Sequence, residues 1–239
     1  MLKKSISIII AVRISLIALC VFLFISCGNK DEGNTFDGRY EYNPLEVGLY
    51  REYEISIKDT SILAVQDTVY YLKEVVSEHE VTTLGNEFVV ERYYKATQAS
   101  EYKSLPDTIW EAIITTLSFV NVENNKRLVR LKFLPFVDLQ WDGNEQNNEG
   151  EQLYTITSLD EPYSLQDSLD FTNTLTVLQD QKFTLIDSSH AFEVYAENIG
   201  LIERSVQRSA YNIEGTEFSM VSSYVYSQKL ISSGYMTDQ

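Results

Sequence analysis

Glu52-Tyr53-Glu54-Ile55-Ser56-Ile57-Lys58 places an apolar residue at every second position and a charged or hydroxyl residue between them. Successive side chains of a strand point to opposite faces, so a period of two describes a half-buried β-strand, where a helix would repeat every 3.6 residues. The same texture continues along the chain. Residues 67–76, 87–96, 109–122 and 127–133 either alternate or are rich in Val, Ile, Tyr, Thr and Phe, and so predict strands. In the second half the candidates are 154–159, 172–178, 182–186, 192–196, 200–208 and 218–230. Asn124-Asn125 suits a hairpin turn, because asparagine tolerates positive φ. No stretch of a dozen residues carries a helical stripe, and with only four prolines and ten glycines the turns must draw on Asn, Asp and Ser. The expected fold is therefore all-β and mainly antiparallel: a curved sheet, open barrel or sandwich. Residues 41–236 form one β-rich domain, in which the Asn-, Gln- and Glu-rich segment 142–152 is a long loop or a subdomain boundary.

The first 26 residues have a different character. Lys3, Lys4 and Arg13 make a basic start, residues 14–25 are an apolar run interrupted only by Ser15, and Ser26 is a small residue before Cys27. A run of 12 falls short of the roughly 20 residues that a transmembrane helix needs, and predicts a helical signal segment instead. Of the two cysteines, Cys20 follows the bulky Leu19, whereas Cys27 follows Ser26 at a plausible cleavage point. Cys27 is thus the expected lipidation site, with residues 1–26 as a lipoprotein signal peptide and 27–40 as a flexible acidic tether.

Cleavage after Ser26 would leave 16 basic against 35 acidic residues, a formal charge of −19. That charge argues against nucleic acid as a partner and against docking on anionic lipid through the protein surface, so the lipid must do the anchoring. It would also leave no pair of cysteines for a disulfide, and a mature chain of 213 residues must rely on packing, which suffices where about 70% of the unfolded surface is buried.

Signals of chemistry are sparse. The two histidines, His79 and His190, have no second histidine at metal-ligand spacing. Ser188 and Ser189 beside His190 are the only nucleophiles with a neighbouring base; on an extended chain Ser189 would diverge from His190, while Ser188 would share its face. Asp142, Asn144, Gln146 and Asn148 offer oxygens at alternate positions, but Asn147 and Leu153 stand where a calcium loop needs Gly and Glu. No catalytic residue, metal or cofactor is expected. Sixteen tyrosines, eleven phenylalanines and two tryptophans suit a sheet core, or a concave face that grips a sugar or an apolar ligand.

The chain also resembles known sequences. Cys27-Gly28-Asn29-Lys30-Asp31-Glu32 looks like the export signal of surface-exposed lipoproteins of Bacteroidota. The body resembles a family of uncharacterised lipoproteins from those bacteria through four landmarks: Tyr42-Asn43-Pro44-Leu45-Glu46-Val47-Gly48-Leu49-Tyr50 with Tyr53; Glu91-Arg92-Tyr93-Tyr94 with Trp110; Trp141-Asp142-Gly143-Asn144; and the stretch from Glu193-Val194-Tyr195-Ala196 to Gly200-Leu201-Ile202-Glu203-Arg204. Arg51 departs from the bulky residue often found there in the family. The resemblance implies an antiparallel β lipoprotein with no assigned activity. Gly48 and Gly200 are expected to need positive φ or close approach, and Trp110 and Trp141 to anchor packing. The expectation is a non-enzymatic binding or structural protein, lipid-anchored at the outer membrane and facing outward, with an outer-membrane protein, a saccharide or an apolar molecule as partner. Two other readings are a carrier of an apolar ligand in a concave sheet and a hydrolase of envelope or nutrient polymers.

Overall fold

The computed structural model describes residues 38–165, 169–214 and 217–236. The signal segment, Cys27 and most of the tether lie outside the described residues.

After a single 3-10 turn at Tyr40–Tyr42, the chain forms twelve strands and no α-helix among the described residues. They are β1 (Leu49–Ser61), β2 (Val65–Val81), β3 (Asn86–Lys95), β4 (Thr108–Ile114), β5 (Ser118–Glu123), β6 (Lys126–Lys132), β7 (Gln140–Asp142), β8 (Leu153–Leu165), β9 (Leu169–Phe183), β10 (Asp187–Ala196), β11 (Gly200–Glu214) and β12 (Glu217–Tyr235). All belong to one antiparallel sheet, in the order β6-β5-β4-β3-β2-β1-β12-β11-β10-β9-β8-β7. The sequence halves are thus two meanders joined through their first and last strands. Leu49 lies opposite Tyr235 and Ser61 opposite Ser222 along the β1–β12 ladder.

The sheet curls until its outer strands, β6 and β7, meet, making a nearly closed barrel. The seam is held by side chains and by the loop after β7. Val129 N–H donates to Gly143 O at 2.9 Å, Trp141 Nε1–H to Val129 O at 2.8 Å, and the Asn147 amide to Arg127 O at 2.8 Å. The segment 142–152 therefore seals the barrel.

Alternation gives the core. Tyr53 and Ile55 on β1, Leu72 on β2 and Leu230 on β12 are buried side by side in one cluster, as the period-two reading of 52–58 requires. At ~25 cal/mol per Å² of apolar surface, each such side chain contributes roughly 1.5–3 kcal/mol of burial. The long β8–β9 hairpin has three register shifts and bends over the outer face of β10 and β11. There Leu165 packs with Val194 and Ala196, and the Tyr163 hydroxyl donates to Glu203.

Two predicted strands fall differently. Residues 109–122 form two strands, because Thr115 Oγ1 accepts the amides of Leu117 and Ser118 and turns the chain between β4 and β5. Residues 182–186 include the β9–β10 turn, where Thr184 Oγ1 accepts the amides of Ile186 and Asp187. Asn124 and Asn125 both take left-handed backbone, φ 49° and 64°, as the hairpin reading expects. Gly48 and Gly200 have φ of 91° and 95°.

Candidate functional site

The inner face carries charge at its centre. Glu193 on β10 and Arg204 on β11 face each other from one half of the sheet; Glu123 at the end of β5 and Arg130 on β6 reach them from the other half. Glu193 contacts Arg204 at 2.6 Å and Arg130 at 3.3 Å, while Glu123 contacts Arg130 at 2.7 Å and Arg204 at 3.4 Å. Two carboxylates and two guanidinium groups alternate in a ring that ties opposite walls together. Tyr195 Oη–H donates to Glu193 Oε2 at 2.6 Å, and the Asn121 amide donates to Glu123. Burial pushes the Glu123 carboxyl up, but the charges of Arg130 and Arg204 and the hydrogen bonds from Arg130 and Asn121 outweigh it and hold it at about 2. Glu193 is lowered in the same way: burial opposes ionisation, and Arg204 and Arg130 prevail. Both acids are therefore carboxylates at neutral pH and are committed to arginine.

Beside the ring, Arg92 pairs with Glu74 at 3.0 Å and lies 3.5 Å over the Trp110 ring. Arg51 is held differently: its Nε–H donates to Ile199 O and its Nη2–H to Pro44 O, both at 2.6 Å. A cavity of about 40 Å³ lies among Asn43, Arg51, Glu74, Trp110, Arg204 and Gln228. It has room for a few waters, and is far short of the several hundred Å³ that an acyl chain or a drug-sized ligand needs.

Towards the hairpin tips of β1–β2, β9–β10 and β11–β12 the inner face becomes wet. Asp59, Tyr224, Arg208, Ser189 and Lys182 form one cross-strand row over β1, β12, β11, β10 and β9. With Asp180, Asp187 and Ser222 they line an open concavity of about 530 Å³, within the usual size of ligand sites. Lys182 is tied to Asp187 at 2.8 Å, and the pair stabilises both charges, raising Lys182 and lowering Asp187. Arg208 has no ion-pair or hydrogen-bond partner among the described residues. Half-buried Tyr226 and Tyr70 lie one step deeper, opposite Ile57 and Ile55. The tips around this mouth are apolar: Ile62, Leu63, Phe183, Leu185 and Ile186 are all exposed, Leu63 by 95%.

Ser189 turns into the mouth, opposite Arg208. Ser188 borders the same concavity while alternating onto the face of β10 that carries His190; His190 lies 5.4 Å from the Phe192 ring, and no hydrogen bond joins either serine to His190 among the described residues. His79 stacks on Phe88 and bonds Asn86. In the segment once comparable to a calcium loop, Asp142 Oδ1 accepts the amides of Asn144 and Gln152, and Asn144 donates to Gly150 O, so these groups are spent on closing the loop. Among the described residues no three His, Cys, Asp or Glu side chains come together to hold a metal. Trp141 is buried at the seam, and Trp110 is partly buried under Arg92.

The charged ring escaped sequence reading, although a signal was present. Arg204 sits between Ile202 and Val206 at period two, and Glu193 between Ala191 and Tyr195, so each charge occupies an apolar register. No family model matches the chain, and no curated protein matches it.

Proposed function

We propose that the protein is a non-catalytic, lipid-anchored envelope protein that binds a polar, saccharide-like ligand in the mouth framed by its hairpin tips. One observation carries this reading: the tether enters at the end of the barrel opposite the mouth. Gly38 accepts the Leu134 amide and Tyr40 donates to Thr116 O, beside the turns at the far end of β4–β6. From Leu49 to Asp59 along β1 is a rise of about 34 Å. A lipid on Cys27 would thus attach to the domain through the end away from the mouth. The mouth combines serine hydroxyls, Arg208, which is unpaired among the described residues, and the tyrosines 224, 226 and 70, the mixture of hydrogen-bonding groups and aromatic faces that polyhydroxylated ligands use.

The test has two parts. Cys27→Ala should release the protein from the membrane fraction, and an impermeant label on intact cells should modify the wild type; full protection from the label sinks the outward orientation. For the ligand, the purified domain is passed over immobilised envelope and nutrient polysaccharides. Retention should weaken at least tenfold in Arg208→Ala and Tyr224→Ala; retention equal to wild type removes the mouth as the site.

A further inference from the structure

The interior of the barrel is one negative charge short. Arg51, Arg92 and Arg130 are each 7% exposed and Arg204 is close behind, and they share the space with three carboxylates, Glu74, Glu123 and Glu193. All three acids are taken: Glu74 by Arg92, and Glu123 and Glu193 by the ring with Arg130 and Arg204. Arg51 alone among these arginines has no carboxylate within ion-pair distance among the described residues. Two carbonyl oxygens take up two of its five N–H donors, and a carbonyl supplies a dipole where a counter-charge is missing.

The gap beside Arg51 is the 40 Å³ cavity. Asn43, 2% exposed, lies on its wall and makes no side-chain hydrogen bond; its Nδ2 is buried without a partner. Arg204 and Gln228 line the same space, and so does Glu74, whose charge is already met by Arg92. A buried cation with no carboxylate in contact and a buried amide without an acceptor are both costly. A single small anion accepting from Arg51 and Asn43 would remove both costs, and the space admits one.

We propose that this cavity, bounded by Asn43, Arg51, Arg204 and Gln228, is a structural binding site for one small inorganic anion of the halide class. The site is separate from the mouth, and does not depend on the reading given there. Gly200 helps to form it: at φ 95° its missing Cβ leaves the space that the Arg51 guanidinium occupies, since a Cβ would fall 2.6 Å from Nη2.

The probe is bromide. Crystals of the domain grown in sodium bromide should show an anomalous peak in this cavity, within contact of Arg51 and Asn43. Density for water alone, with no anomalous signal, overturns the proposal. In solution, melting is followed at constant ionic strength while gluconate, too large for the cavity, is replaced by bromide. The melting temperature should climb with the logarithm of bromide concentration, and a flat response overturns the proposal. Arg51→Met should abolish the response. Should that variant fail to fold, Asn43→Asp serves instead: it places a carboxylate on the same wall to supply the missing charge, and is expected to fold and to ignore bromide. A bromide response undiminished in Asn43→Asp would place the anion elsewhere and refute the assignment.

Discussion

At the scale of single residues, charge and backbone conformation decide most. Glu193 touches two buried arginines, so Glu193→Gln leaves Arg130 and Arg204 sharing one carboxylate; removing one partner of a buried ion pair typically costs about 3–5 kcal/mol. Urea denaturation at neutral pH should show that loss. The same ring gives a pH dependence. Glu123 is held at about 2 in the folded protein against 4.5 as its ordinary value, so its contribution is complete above pH 4.5 and disappears as the pH falls towards 2. Acid titration of unfolding should therefore steepen in that window, and Glu123→Gln should flatten it. Gly200 and Gly48 share left-handed backbone, but Gly200 alone abuts a side chain, whereas a Cβ at Gly48 would meet open space. Gly48→Ala should cost only conformational strain, about 1 kcal/mol, and Gly200→Ala measurably more, since Arg51 must also move.

At the scale of elements, hairpins were legible where their turns used side chains that announce themselves, and hidden where threonine made them. Asn124-Asn125 reads as a two-residue turn, and both residues have positive φ. Asn125→Gly should keep or raise stability by up to about 1 kcal/mol, while Asn125→Val should lower it by about 1–2 kcal/mol, both measurable as shifts in the urea midpoint. The β2–β3, β4–β5 and β9–β10 turns start with Thr82, Thr115 and Thr184, each hydroxyl accepting an amide two residues on. Threonine is also a preferred strand residue, so these turns merge with the strands around them, and 109–122 reads as one element. β7, three residues long, is too short to show a period; Trp141 marks its place only through the packing it provides.

At the scale of the whole molecule, alternation gave strands but not their order. Nothing local to residues 49–61 points to a partner at 222–235, and the charges that bridge the walls come from four separate strands. The mouth was equally illegible, because Asp59, Lys182, Arg208 and Tyr224 meet only through that long-range register. Since each sequence half is a six-stranded meander, a chain cut between β6 and β7 should reassemble: co-expressed fragments 38–136 and 137–236 should co-purify as one folded species, with the circular dichroism of the intact domain. Fragments that fold apart, or never associate, would refute that organisation. The pairing of the first strand with the last also sets a timetable. In chain order the hairpins can close in succession, but one edge of β1 stays bare until β12 joins it. The first strand thus waits for the last, and its open edge has to be kept from other chains until β12 is in place.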